Sequence, residues 1–130
     1  MHDASITMKL QLVPLPVANP DRSKAFYIDQ VGFNLDHDVL PGNGLRVIQL
    51  TPPGSTCSIV FGTGMDNGDS LPGSVKNLHL VVPDAALARA MLIERGVNVS
   101  EVQDMGGVKY AFFADPDGNS WALQELPAQS

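Results

Sequence analysis

An α+β fold made of two βαβββ modules is what this sequence predicts, and three observations lead to it. The run Leu12-Val-Pro-Leu-Pro-Val17, Asn19-Pro-Asp-Arg-Ser-Lys-Ala-Phe-Tyr27, Gly32-Phe33 is answered in the same order by Asn77-Leu-His-Leu-Val-Val82, Asp84-Ala-Ala-Leu-Ala-Arg-Ala-Met-Leu92, Gly96-Val97. Each copy reads as an apolar strand, a capped helix and a glycine stop, and three short strand-like runs follow each. A chain of 130 residues is too short for two independent cores, so the copies are expected to fold together. The expected organisation is a first module over 1–62, a linker over 63–74 and a second module over 75–130, one structural domain overall. Its mixed sheets would curl around a cleft, with the helices on the outer face.

Residues 8–17 are apolar and predict a strand, in which Pro14 and Pro16 remove two ladder donors and favour an edge position. Asn19 is an N-cap with Pro20 at the first helical position, and Phe26, Tyr27 and Val31 share one stripe before Gly32, so a helix is expected over 20–31. Strands over 33–40, 45–51 and 56–61 follow, parted by Pro41-Gly-Asn-Gly44 and Pro52-Pro-Gly-Ser55. The glycine-rich stretch 62–74 has little to bury and reads as a linker. The second copy predicts a strand over 75–82, a helix capped by Asp84 through Arg95, and strands over 97–102, 108–114 and 120–125. Gly106-Gly107 and Asp115-Pro-Asp-Gly-Asn119 supply its turns.

The charge balance narrows the partners. Eight Lys and Arg against 14 Asp and Glu give a formal charge of -6, which repels phosphate backbones and anionic headgroups, so neither nucleic acid nor membrane is expected. The single cysteine, Cys57, suits a reducing compartment, and the start Met1-His-Asp-Ala-Ser5 lacks the build of a signal peptide. A cytoplasmic location is the expectation.

Strand alternation assigns faces, and the helices must cover the more apolar one. Val13, Leu15 and Val17 would face a helix, as would Leu78, Leu80 and Val82, Ile48 and Leu50, and Trp121 and Leu123. That leaves Leu12, Val47, Gln49, Asn77, His79 and Ala122 for the opposite concavity. Ala111 is added to these, with Phe61 and Phe113 as stacking walls.

The paired modules, Phe26-Tyr27 ahead of Gly32-Phe33, and Tyr110-Ala-Phe-Phe-Ala-Asp-Pro-Asp-Gly-Asn-Ser-Trp-Ala-Leu-Gln-Glu125 resemble the vicinal oxygen chelate superfamily of glyoxalase I, extradiol dioxygenases, fosfomycin-modifying enzymes and bleomycin-resistance proteins. The resemblance spans nearly the whole chain and specifies fold rather than activity. It implies a homodimer in which modules pair across subunits. It also implies four metal-ligand positions, which fall here on Leu12, Gln49, Asn77 and Ala122. Leucine and alanine have no lone pair to give, and the two amides are weak neutral donors, so neither a metal nor any other cofactor is expected.

Other candidates have plainer readings. Asp36-His37-Asp38 alternates across a strand and cannot converge on one ion. Cys57 lacks a nearby histidine, the Asp115–Asn119 carboxylates are turn chemistry, Glu125 is a rim charge, and Trp121 belongs to the core. The sequence thus favours a metal-free protein that binds or sequesters an extended, partly aromatic small molecule, in the manner of the bleomycin-type members. The ligand-binding set is Leu12, Val47, Gln49, Asn77, His79, Ala111, Phe113 and Ala122. The alternative is a glyoxalase- or dioxygenase-like enzyme, either with a displaced metal near His79 or with His79 as general base.

Overall fold

The computed structural model describes residues 5–128, so residues 1–4, where the chain start was read, lie outside it. The predicted repeat is realised as two mixed four-stranded sheets of identical order. Sheet A comprises β1 (Leu12–Pro14), β2 (Asn34–Gly42), β3 (Leu45–Thr51) and β4 (Ser58–Thr63), in the order β1-β4-β3-β2. Sheet B comprises β5 (Leu78–Val81), β6 (Gln103–Met105), β7 (Val108–Ala114) and β8 (Ser120–Glu125), in the order β5-β8-β7-β6. In each, the first strand runs parallel to the last and the other pairs are antiparallel.

Local chemistry starts both helices as expected. The Asn19 side chain accepts from Arg22 N at 3.1 Å with Pro20 at the first position, opening α1 (Pro20–Ala25). Asp84 accepts from Leu87 N at 3.0 Å and opens α2 (Ala85–Glu94). Glu125, expected as a solvated rim charge, also serves here, because its Oε1 accepts from Ala85 N at 2.7 Å. The first helix continues as a π-helical stretch, Phe26–Val31, which ends when Gly32 adopts a φ of 92°. Its first two residues, Phe26 and Tyr27, are both buried.

Two predicted strands moved. Residues 8–11 form no strand, and β1 begins at Leu12. Residues 97–102 run as irregular backbone and the strand lies at 103–105 instead. Val97 and Val99 still enter the core, so hydrophobic demand at 97–102 is met without a ladder; Ser100 instead ties the segment to β7 through Ser100 N to Phe112 O at 2.9 Å and Phe112 N to Ser100 Oγ at 2.8 Å.

One core serves both halves. Leu15, Tyr27, Phe33, Ile48, Leu50 and Phe61 from the first pack with Leu92, Val97, Ala111, Phe113, Trp121 and Leu123 from the second. The Trp121 ring meets Tyr27 and Phe33 edge-on, at 5.8 and 5.5 Å. A buried polar chain stitches the same seam. Trp121 Nε1 donates to Tyr27 Oη at 2.9 Å, and that hydroxyl donates to Asp115 Oδ2 at 2.8 Å. Asp115 Oδ1 accepts from the backbone N–H groups of Asp117, Gly118 and Asn119, while Asn119 Nδ2 bridges Asp115 Oδ2 and Pro16 O. Burial and the Asp115 charge push the Tyr27 phenol far above its ordinary range. The Asp115–Asn119 turn therefore also joins the two modules.

The stretch between β4 and β5 is held against this turn. Gly73 has a φ of 84°, and a Cβ there would lie 2.0 Å from Asp117 O. Only glycine satisfies both constraints.

Candidate ligand-binding faces

Because each sheet gives one face to the shared core, its other face turns outward. Both sheets are open, and within one chain they do not close around a common cleft. Two apolar cavities, of about 200 Å³ and about 240 Å³, lie beside β5, and neither is lined by Gln49, Asn77 or Ala122.

The outward face of sheet B is aromatic. Antiparallel partners share a face, and the register pairs Phe112 with Ala122 and Tyr110 with Gln124, while β5 places His79 beside Ala122. The Tyr110 and Phe112 rings stack at 6.1 Å with 8° between planes, and His79 meets Tyr110 edge-on at 5.9 Å. Gln124 Nε2 donates to Tyr110 Oη at 3.3 Å. His79 Nδ1 lies 2.7 Å from Asn77 O. A carbonyl only accepts, so in this contact Nδ1 carries the proton, which leaves Nε2 of the neutral ring as an acceptor.

The outward face of sheet A is polar at one end, where β3 finishes and β4 begins. Thr51 Oγ1 donates to Asp36 Oδ2, Gln49 Nε2 donates to the same oxygen at 3.2 Å, and Ser58 Oγ lies 2.6 Å from Thr51 Oγ1. A carboxylate accepts only, so the chain runs from the Ser58 hydroxyl through Thr51 to Asp36. Leu12, Pro14, Val47 and Val60 surround this cluster by register.

The eight residues selected from sequence therefore divide. Leu12, Val47 and Gln49 lie on the open face of sheet A, and His79 and Ala122 on that of sheet B. Asn77 precedes β5 with a φ of 61°, outside the strand alternation that assigned its side chain; its carbonyl, not its amide, meets His79. Ala111 and Phe113 are corrected to the core face, since Ala111 pairs with Leu123 and Phe113 with Trp121, whose rings stack at 6.3 Å. Ala111 is fully buried and Phe113 is 4% exposed. Phe61 is likewise in the core, where it pairs with Ile48. Sequence reasoning missed Asp36, Thr51, Ser58, Tyr110 and Phe112. Asp36 and Asp38 do diverge as expected: Asp38 pairs with Lys24 and Arg46 on the helix side, and these cations hold its carboxyl well below the usual range.

The donor set does not fit a divalent metal. The last strand of the first module is β4, not β3, so the partner of Ala122 by topology is Val60 rather than Gln49, and neither has a lone pair. Leu12 has none, and Asn77 offers one neutral amide. Among the described residues no three His, Cys, Asp or Glu side chains converge.

Two βαβββ units packed on one core, each with one sheet face turned outward, define a class of small paired-module proteins. The Glyoxalase/Bleomycin resistance protein/Dioxygenase superfamily matches residues 9–123, and the chain belongs to it. It is similar to TnmS3, an antibiotic binding protein from Streptomyces sp. CB03234, at 34% identity and a TM-score of 0.83, over 96% of this chain and 100% of that one. It is also similar to a glyoxalase/bleomycin resistance protein from the same organism, at 35% identity and a TM-score of 0.75, over 88% and 98% of the two chains. A superfamily member from Sphaerobacter thermophilus DSM 20745 is 26% identical, with a TM-score of 0.78 over 92% and 98%. No curated protein matches the chain. No helix among the described residues is long and apolar enough to cross a membrane.

Proposed function

We propose that this protein binds and sequesters an extended, partly aromatic small molecule, as a cytoplasmic homodimer and without a metal or other cofactor. The observation that carries the reading is the open face of sheet B, where Tyr110 and Phe112 offer stacking surface and His79 and Gln124 offer polar contacts. Sequestration needs area and a few hydrogen bonds, and no activated water. Similarity to an antibiotic binding protein at 34% identity supports the same class of ligand.

The test is a thermal-shift screen of polycyclic aromatic antibiotics, followed by calorimetry. A ligand is expected to raise Tm, as any native-state ligand must, and Phe112→Ala and His79→Ala should each weaken it at least about tenfold, roughly 1.4 kcal/mol. Stoichiometric Ni²⁺, Zn²⁺ or Fe²⁺ on protein purified without chelator would overturn the metal-free reading. A second reading rests on His79, whose Nδ1 contact with Asn77 O leaves Nε2 as an acceptor that could serve as a general base. Recovery of the bound molecule unchanged after prolonged incubation decides for binding; a converted product decides for catalysis.

A further inference from the structure

The two aspartates of β2 lie two residues apart and have opposite surroundings. Asp38 holds both Lys24 and Arg46 at 2.8 Å. Asp36 is exposed, and among the described residues no cation pairs with it.

A β-bulge accounts for the difference. β2 pairs Leu35 with Leu50 and His37 with Gln49, so two steps along β2 answer one step along β3, and Asp36 is the extra residue. Residues two apart on a regular strand share a face. The extra residue breaks that rule, sending Asp38 to the helix side and leaving His37 opposite Gln49 on the open face of sheet A. Asp36 stays on the open face between two cross-strand rows, and its Oδ2 takes one donor from each. Thr51 Oγ1 comes from the row that continues to Ser58 and Leu12, and Gln49 Nε2, at 3.2 Å, from the row that continues to Val60 and Pro14.

Counting donors and acceptors defines what this carboxylate can take. Oδ2 has both lone pairs filled, whereas Oδ1 receives no donor among the described residues. A guanidinium makes its two-pronged contact with both oxygens, and one of them is occupied. An ammonium is a compact charge that a single oxygen satisfies. A divalent ion is served poorly, since Asp36 and His37 bring one carboxylate and one imidazole, and among the described residues no third such group joins them. Leu12 and Val60 supply apolar surface on the same face, and the formal charge of -6 attracts cations at longer range.

We propose that Asp36 anchors a separate binding site on the open face of sheet A, which takes the protonated primary amine of a small aliphatic molecule. An ammonium hydrogen goes to Oδ1, and the aliphatic body lies towards Leu12 and Val60. Thr51 and Gln49 are positioning residues, which hold Oδ2 and so leave Oδ1 for the ligand. The site goes beyond the aromatic reading of sheet B, because it uses other strands and the opposite chemistry.

The test is an NMR titration of the isotope-labelled protein with cyclohexylamine, which is protonated at about pH 7, beside the neutral cyclohexanol and the cationic cyclohexylguanidine. Cyclohexylamine should give saturable shifts centred on the amides of Asp36, His37, Gln49 and Thr51, and should bind at least about fivefold more tightly than either control. Asp36→Asn keeps the shape of the side chain and should weaken the amine by at least about tenfold. Thr51→Val frees a lone pair on Oδ2 and should shrink the amine's advantage over the guanidine, a change that a purely structural role for Thr51 would not produce. Shifts spread over the whole acidic surface, indifference to Asp36→Asn, or equal binding of the guanidine overturns the site. The two readings fail separately: an aromatic screen without a ligand sinks the proposal for sheet B while the amine shifts stand, and missing amine shifts sink the Asp36 site alone.

Discussion

Ser58 and Ser120 stand at matching places in the two sheets, each opening the last strand of its module, yet they do different work. Ser58 joins Thr51 and Asp36 in a polar chain at one end of its open face. Ser120 Oγ accepts from Asn77 N at 2.8 Å and secures the entry to β5. One position on, Ile59 and Trp121 do the same job, since both are buried in the common core. The covered faces of the two sheets have kept one requirement, to be apolar and to fit. The open faces have been free to diverge, one towards hydrogen bonding and the other towards aromatic stacking. The ligand recognition proposed for sheet B belongs to that divergence.

The sharpest way to break the comparison is to attack what both halves share. Asp115→Ala strands the buried Tyr27 hydroxyl and the Asn119 amide and should cost roughly 3–5 kcal/mol in urea unfolding. Because the seam is common, the loss should appear as one cooperative transition; two separate transitions would show that the modules do not share a core. Next in size is the contrast along β7. Phe113→Ala opens the core and should cost about 3–4 kcal/mol, while its neighbour Phe112→Ala, on the half-buried open face, should cost only about 1 kcal/mol. Equal costs would reverse the face assignment.

Gly73→Ala should follow, with a loss of about 1–3 kcal/mol in the same unfolding measurement, from a left-handed backbone and the clash with Asp117 O. A neutral result would mean that the stretch before β5 is not held by the turn. The smallest effect is set by pH. Tyr27 keeps its proton in the folded chain well above the value at which the unfolded chain releases it, about pH 10. Its contribution is therefore complete below about pH 10 and is lost as the pH rises beyond it. Urea midpoints of wild type should fall on that alkaline limb, and those of Tyr27→Phe should fall less steeply.

Much of the fold was legible in the residues. β3, β7 and β8 lie where the alternation of Leu45 to Thr51, Val108 to Ala114 and Ser120 to Glu125 put them, and Asn19 and Asp84 cap the helices they were expected to cap. Burial patterns are local and written in period. The open face of sheet B was legible too, had the turn been used as a ruler. Ala114 and Ser120 flank it, so equal steps pair Phe112 with Ala122 and Phe113 with Trp121. Assigning Phe113 to the open face conflicts with placing Trp121 in the core. The cluster of Asp36, Thr51 and Ser58 was not legible, because it draws on three strands and a register shift between Leu35 and His37.

By itself the sequence determined the repeat, the βαβββ order of elements in each module, the side of most strands that seeks a helix, and the scarcity of metal donors at the positions the family would use, since all of these depend on residue type and spacing along one chain. The tertiary structure alone decided which side chains of the two halves meet in the shared core, that Asp115 bridges the halves, and that the open faces look outward. Those outcomes depend on where distant segments meet, and a side chain's neighbours across a sheet or a seam are fixed by packing rather than by its own period.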